Sequence, residues 1–431
     1  MALVSKHTLM RVAGATLLLL ASGVVIQRVS PPAGNHPEIG SESAELHSST
    51  WKIHERDQSP ERRLSREEVD AKASEWFEFL LERYPWLQVN FREVPDDENG
   101  FLLYLELLED YQGGPDGTTL PLPAAILSML ENPESFNAEV LAKWLENNQG
   151  LMDRILAVAE APDRSVSGLA HHDISFIEAR PAVQIADLLM LEARLSLKHG
   201  DPGRSMRNYK AAMNLAEHFD GTETPSLFSK TVAIILRKNT HEHFVREVLP
   251  TISNNPDSLA DWRIAVRHDE EFSDSLKTLR TGEWHISTRS MILPGLVSDG
   301  ATLGESDMKI PDPQALLDVL AESLRSGFSQ LSENASSESI AQAFTLDLPN
   351  ASLSQQANEL ASICEIGFKP WLHGLNRNRT SLAMTDALIA IALNEKPVVD
   401  PVSGEPFRWD PDTRTLHPPA GSENIESLAL P

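Results

Sequence analysis

Apolar side chains recur every three or four residues along most of this chain, and that spacing limits its fold more than any other feature. The run through Ala73, Phe77 and Leu80 is an example, because it places all three side chains on one face of a helix. Prolines and glycines separate such runs, since proline ends helices and glycine favours turns. The sequence therefore predicts a mainly α protein.

Start and stop signals set the predicted boundaries of these helices. Ser65 is a favourable N-cap for the first helix, and Pro85 ends it. Pro181 opens the most apolar helix of the chain, and a turn is expected at 281–284. Further helices are predicted at 101–111, 123–131, 137–147, 149–160, 203–219, 225–239, 241–250, 256–266, 271–280, 313–330, 353–366 and 377–393.

Residues 181–219 predict a helical hairpin, because Gly200-Asp201-Pro202 turns the chain between two apolar helices. This hairpin resembles a tetratricopeptide unit. The residues at that repeat's small, glycine, small, aromatic and small positions are Ala193, Gly200, Ser205, Tyr209 and Ala212. No second copy follows at the repeat's spacing of about 34 residues, so we expect one hairpin within an irregular, α-solenoid-like helical body.

Residues 12–26 carry no charge, and the residues before them include cations and no acid. Lys6 and Arg11 on that side predict a cytoplasmic N-terminus and an exported body. Residues 1–28 therefore predict a signal anchor, a single transmembrane helix of the inner membrane with the body in the periplasm. The alternative is a signal peptide cleaved near the small residues 21–23, which would give a secreted protein.

Composition divides the rest of the chain. Residues 29–64 are rich in Ser, His, Glu and Pro and poor in large apolar residues, so they predict a flexible tether. Residues 395–431 contain turn-forming residues around a short run with Phe407 and Trp409, which predicts a small β-hairpin and a tail. The helical regions predicted between them are 65–160, 161–300, which carries the hairpin, and 301–394.

The formal net charge of the chain is −26, from 63 acidic and 37 basic residues. Such a surface repels phosphate backbones, whose binding requires clustered Lys and Arg side chains. The composition therefore argues against nucleic-acid binding. The partners that we expect are another envelope protein and the membrane, the latter through the N-terminal helix.

Few residues suggest catalysis or metal binding. Cys364, the only cysteine, has apolar neighbours and is expected to be a buried structural thiol. The His-His-Asp run at 171–173 could supply metal ligands, but adjacent side chains diverge and a further ligand would be needed. His241 and His243 stand about 200° apart around a helix, unlike zinc-protease histidines, and are expected at a solvated helix start. The catalytic residues stay unknown, and neither a metal nor a cofactor is predicted.

Large aromatic side chains are the remaining candidates for binding a partner, because Trp and Tyr are enriched where interfaces bind most strongly. They are Tyr209, Trp262, Trp284 and Trp409. For Trp262 and Trp284, packing in the core or at a joint between helices is the alternative.

The order of these parts resembles a group of membrane-anchored helical proteins of planctomycete and verrucomicrobial bacteria. The segments that carry the resemblance are 98–104, the hairpin around Gly200-Asp201, 281–284 and 400–409. The chain departs from that group at 392–396, where its members hold a Gly-x-Tyr-Pro turn and a further leucine-rich helix. The resemblance implies an architecture and a location, and no known reaction.

The Asp-Pro loop at 400–409 is also similar to the C-terminal loop of type II secretion pseudopilins. The N-terminal processing signal of pseudopilins is missing here, which puts assembly into a pilus in doubt. Three functions follow as hypotheses. The first is a membrane-anchored scaffold or protein-interaction module, the second an envelope hydrolase with carboxylates in a cleft between helices, and the third a pseudopilin-like secretion component.

Overall fold

The computed structural model describes most of the helical body and the C-terminal segment. It is mainly helical, with a small antiparallel sheet of three strands, as the sequence predicts. Residues 1–64, which include the predicted anchor and tether, lie outside the described residues. The described residues are 65–111, 120–169, 179–267, 272–289, 293, 351–420 and 425–430.

The helices within these residues follow the predicted spacing closely. In chain order they are α1 (Arg66–Arg83), α2 (Gly100–Asp110), α3 (Ala124–Glu131), α4 (Ala138–Asn147), α5 (Gln149–Glu160), α6 (Ala179–Lys198), α7 (Pro202–Asp220), α8 (Leu227–His243), α9 (Leu249–Ile252), α10 (Pro256–Val266), α11 (Phe272–Ser287) and α12 (Ala351–Ala392). Short 3-10 turns occupy Pro85–Leu87, Asp96–Glu98 and Pro133–Ser135, and a π-helical turn, Phe244–Val248, continues α8.

The chain separates into two compact units. Among the described residues, the first unit contains 65–88, 284–289, 293 and 351–367. The second unit contains the described residues of 89–283 and 368–430.

The first unit begins as predicted, with a capping box at Ser65. The Ser65 hydroxyl accepts a hydrogen bond from the Glu68 amide at 3.2 Å, and the Glu68 carboxylate accepts one from the Ser65 amide at 2.8 Å. These bonds satisfy amides that a helix start leaves without partners. The helix then ends at Arg83, before Pro85.

An aromatic group forms part of the core of the first unit. The ring of Phe77 lies 5.5 Å from that of Trp284 and 5.1 Å from that of His285, between centroids. The His285 Nε2 also lies 2.6 Å from the Leu87 carbonyl oxygen. Burial lowers the pKa of His285 below its usual value, so this imidazole packs as a neutral group.

The core of the second unit is the hairpin of α6 and α7, against which α8 packs. α6 ends in a Schellman motif, in which the Asp201 amide donates to the Ser196 carbonyl and the Gly200 amide to the Leu197 carbonyl. Gly200 has a φ of +75°, the left-handed conformation that glycine adopts most easily. The Asp201 carboxylate then caps α7 by accepting from the Arg204 amide at 2.9 Å. The predicted hairpin is therefore confirmed.

The helix start predicted at 241 lies inside α8 and is wrong. Two further predicted boundaries are wrong, because packing continues helices past residues that usually end them. α11 continues through the turn expected at 281–284, since Gly282 lies against the backbone of Pro225 and leaves no room for a side chain. α12 is one helix of 42 residues where two were predicted, at 353–366 and 377–393.

The C-terminal segment forms the predicted hairpin and adds a third strand. β1 (Arg408–Asp410) pairs antiparallel with β2 (Thr415–His417), and β2 pairs antiparallel with β3 (Leu428–Ala429), which the sequence did not predict. Trp409 lies opposite Leu416. Within the described residues, no helix has the length and apolar character needed to cross a bilayer.

Candidate functional site

The hairpin positions that resemble the tetratricopeptide pattern form its buried seam. Ala193 on α6 faces the interior, as do Ser205, Tyr209 and Ala212 on α7, and all four side chains are fully buried. Small side chains at such positions let two helix axes approach closely. The pattern thus predicts which face of the hairpin packs.

Two of the four aromatic candidates lie together in the core of the second unit. The ring centroid of Tyr209 is 5.4 Å from that of Trp262 and 5.5 Å from that of Phe244, in the π-helical turn. Burial raises the pKa of Tyr209 well above its usual range. Tyr209 and Trp262 are almost completely buried, so in this structure they fill the core and offer no surface to a partner.

The other two aromatic candidates are separate from this cluster. Trp284 is buried in the core of the first unit. Core packing was the alternative to partner binding for both Trp262 and Trp284. Trp409 lies on β1 and is half-buried, so part of its indole remains accessible. Of the four candidates, Trp409 alone keeps a surface with which a partner could make contact.

His241 and His243 point in different directions, as the helical rotation predicts. They lie in the last turn of α8, however, and the expectation of a solvated helix start is wrong. The His241 Nε2 is 3.0 Å from the Thr385 hydroxyl oxygen, and burial lowers the pKa of His241 to about 4 despite the Ser381 carbonyl. The intervening Glu242 is exposed and pairs with Lys238 at 3.0 Å.

His243 belongs to a charged cluster at the junction of α6 and α8. Its Nε2 lies 3.9 Å from the Asp187 carboxylate, and the Arg246 guanidinium donates to its Nδ1 at 3.1 Å. Burial raises the pKa of Asp187 to about 7, although the charge of Arg246 opposes the shift. Burial and then the charge of Arg246 lower the pKa of His243 to about 4. A carboxyl group that titrates near neutrality beside a neutral imidazole is an arrangement that proton transfer can use.

Other buried carboxylates are held by cations. Asp220 on α7 accepts from Lys230 at 2.5 Å and from Arg237 at 2.6 Å. Burial alone would raise the pKa of Asp220, but these two cations hold it well below its usual range. Asp386 is likewise buried and paired with Arg263. Asp220 is therefore an ionised structural partner of its cations, and Asp386 fixes Arg263 in the core.

A groove of about 470 Å³ lies between α5 and α7, on the outer side of the hairpin. Its wall includes Glu160, Gly203, Met206, Arg207, Lys210 and Asn214. Arg207 and Glu160 form a bidentate pair across it, with one contact of 2.6 Å, and the Arg207 side chain is 58% exposed. We call this feature the α5–α7 groove.

Asn214 gives the α5–α7 groove a fixed polar group. Its Nδ2 donates to the carbonyls of Ala159 at 2.8 Å and Ala161 at 3.0 Å, at the end of α5. Because these two carbonyls use both amide hydrogens, the side chain is held in one orientation, with Oδ1 as its acceptor. The α5–α7 groove thus combines two cations, one acid, an oriented amide and the apolar side chain of Met206.

Several sequence candidates fall outside the described residues. These are residues 171–173 and the side chain of Cys364, whose backbone lies in α12. Within the described part of the chain, no group of three or more His, Cys, Asp or Glu side chains could hold a metal ion.

The sequence did not single out Asp187, Asp220 or the α5–α7 groove. Asp187 and Asp220 read as ordinary polar positions of amphipathic helices, and a linear pattern does not tell which side chains burial will shift. One available signal was the absence of acids from Pro202 to Ala216 in so acidic a chain.

Comparison with known proteins gives no relative on which to base an assignment. No protein-family model matches the chain, and no curated protein and no solved structure matches it.

Proposed function

We propose that this chain is a membrane-anchored helical scaffold that works outside the cytoplasm and binds another envelope protein through its hairpin. The uncharged segment at 12–26 and the tether at 29–64 support the anchoring part of the proposal. They would let the helical body stand away from the bilayer.

The observation that carries the binding part is the α5–α7 groove. One side of α7 is the buried seam with Tyr209 and Ala212, whereas Arg207 and Lys210 on the opposite side remain exposed. Grooves between packed helices are a common recognition surface, because they present rigid side chains at fixed spacing. The wall of the α5–α7 groove is formed by such helices.

Photo-crosslinking in intact cells tests the binding part. A photoreactive side chain in place of Met206 would lie in the α5–α7 groove, and one in place of Ile264 provides a control because that residue of α10 is 73% exposed. We expect a discrete adduct with one envelope protein from position 206 and none from position 264. The same adducts from both positions, or none from either, would contradict the proposal.

Membrane fractionation and N-terminal sequencing test the anchoring part. A retained anchor predicts that the full-length chain enters the membrane fraction with its first residues intact. A mature chain that begins near residue 24 would instead support the secreted form, because cleavage at 21–23 removes the apolar segment. Full-length protein in the soluble cytosolic fraction would refute both forms.

A second candidate function is an envelope hydrolase, and the Asp187–His243 pair is the observation that favours it. The raised pKa of Asp187 gives a carboxylic acid that donates and accepts protons near neutral pH. If this pair acts in hydrolysis, an Asp187→Asn variant would lose activity on envelope material while remaining folded. The pseudopilin-like alternative requires a C-terminal sheet much larger than the three strands of two or three residues that the structure describes.

A further inference from the structure

The α5–α7 groove lies beside a basic face of α7. From Pro202 to Ala216 the chain contains no Asp or Glu, and it carries Arg204, Arg207 and Lys210 on successive turns of α7. The chain as a whole has a net charge of −26. The positive end of the α7 dipole lies in the same place, near Gly203. The groove therefore has a charge opposite to that of the whole molecule.

Arg204 pairs with the buried Glu192 carboxylate, so the cations of this face that are open to a ligand are Arg207 and Lys210. Arg207 is 58% exposed and its partner Glu160 35% exposed, and solvent weakens the attraction in exposed pairs of this kind. An incoming carboxylate can therefore compete with Glu160 for the guanidinium. No ion pair of Lys210 is described, and its ammonium is exposed beside Arg207. The charged residues of the groove wall sum to one net positive charge, from Arg207 and Lys210 against Glu160.

The geometry points to an extended acidic segment of a partner protein as the occupant of the α5–α7 groove. We propose that its carboxylates bind Arg207 and Lys210, that an apolar side chain of the segment contacts Met206, and that a backbone amide donates to Asn214 Oδ1. Each of these groups lies on the groove wall. This inference rests on the proposed scaffold function and specifies the chemistry of its partner.

A binding measurement with a defined probe tests this recognition. The probe is a fluorescently labelled oligoglutamate peptide with one central leucine, added to the purified full-length protein in detergent at low salt. We expect saturable binding that weakens as the salt concentration rises, because exposed charges are screened. An oligolysine peptide with the same leucine should not bind. Equal binding of the two peptides would overturn the proposal.

Charge reversal in the groove provides the matched variants. Lys210→Glu should weaken binding of the acidic peptide about tenfold, because one attraction is replaced by a repulsion. Lys143→Glu, at an exposed position of α4, changes the net charge by the same amount and should leave the affinity for the peptide unchanged. Met206→Ala should weaken binding of the leucine-containing probe and not that of a probe without leucine. Equal losses in Lys210→Glu and Lys143→Glu would show that only the overall charge matters and would overturn the proposal.

The same substitution separates this inference from the scaffold function. If the in-cell adduct from position 206 disappears in the Lys210→Glu background, both the partner and its acidic recognition are supported. If the adduct persists there and the peptide does not bind, the scaffold function stands and the acidic segment is refuted. Self-association of the purified chain that Lys210→Glu abolishes would instead make a second copy the occupant and would also refute the proposal.

Discussion

Two helical glycines differ in their surroundings, and this difference sets how each tolerates a side chain. A Cβ on Gly282 would lie 2.1 Å from the Pro225 carbonyl oxygen, whereas a Cβ on Gly150 would have no atom within 4 Å. We expect Gly282→Ala to lower the free energy of unfolding by about 3 kcal/mol, because a backbone atom cannot move away easily. Gly150→Ala should be neutral or stabilising by up to about 1 kcal/mol. Urea unfolding of the full-length protein measures both, and similar effects would contradict this account.

Asp220 is the second residue whose replacement should be costly. Removing its carboxylate takes that acid from the buried Lys230 and leaves Arg237 with only Glu217 of its two acidic partners, at 2.6 Å. We expect Asp220→Ala to lower the free energy of unfolding by about 3–5 kcal/mol, since breaking a buried pair leaves uncompensated charge. Glu242→Ala, which breaks the exposed pair with Lys238, should cost about 0.5 kcal/mol or less. Thermal unfolding of the two variants gives the comparison, and a small effect of Asp220→Ala would argue against the buried network.

Residue roles that depend on neighbours in sequence were predictable here, and those that depend on tertiary burial were not. The cap at Ser65 and the turn at Gly200 follow from local chemistry, so the sequence indicated both. The raised pKa of Asp187 depends on how the end of α8 packs against α6. The sequence predicted Tyr209 and Trp262 as candidates for binding a partner. Their burial in the tertiary structure shows instead that they pack in the core.

At the scale of elements, the spacing of apolar side chains every three or four residues predicted most helices to within a few residues. The wrong boundaries have physical causes. Pro370 lies inside α12, where proline removes a backbone hydrogen bond and costs about 3 kcal/mol. The buried side chains of Trp371, Leu372 and Leu375 follow it directly, and their packing outweighs that cost. β3 was missed because two residues are too few to show an alternating pattern.

The Asp-Pro loop fixes the C-terminal element, and Asp400 is its central residue. The buried Asp400 carboxylate accepts from the Thr380 hydroxyl of α12 at 2.7 Å, and from the Ser403 amide and hydroxyl. Asp400→Ala should destabilise this element locally by about 1–3 kcal/mol, because the donors lose their acceptor. Hydrogen exchange at the β1 and β2 amides should accelerate, whereas amides of α6 keep their protection. The control variant, Asp412→Ala at the exposed turn, should leave hydrogen exchange unchanged both in β1 and β2 and in α6. Unchanged exchange of the β1 and β2 amides in Asp400→Ala would contradict the role of this carboxylate.

At the scale of the whole molecule, buried titratable groups make stability depend on pH. Burial lowers the pKa values of His218, His241 and His243 to about 4, so the unfolded chain binds more protons than the folded one between about pH 4 and 6.5. Their contribution to stability is complete above that range and is lost as the pH falls through it. Asp187 acts in the opposite direction, because its raised pKa makes its contribution fall as the pH rises toward 7.

The three imidazoles should outweigh the one carboxyl between pH 7 and pH 5. Between pH 7 and pH 5, each buried imidazole lowers the free energy of unfolding by about 2 kcal/mol, because it stays neutral in the folded chain and becomes protonated in the unfolded chain. Asp187 raises the free energy of unfolding by about 2 kcal/mol over the same interval. We therefore expect the free energy of unfolding to fall by about 4 kcal/mol on acidification to pH 5. His241→Gln should remove about half of that loss, because the variant has one fewer group to protonate, whereas His199→Gln at an exposed position should leave it unchanged. Urea unfolding at the two pH values measures the difference, and a chain that gains stability on acidification would show that Asp187, rather than the imidazoles, governs its response to pH.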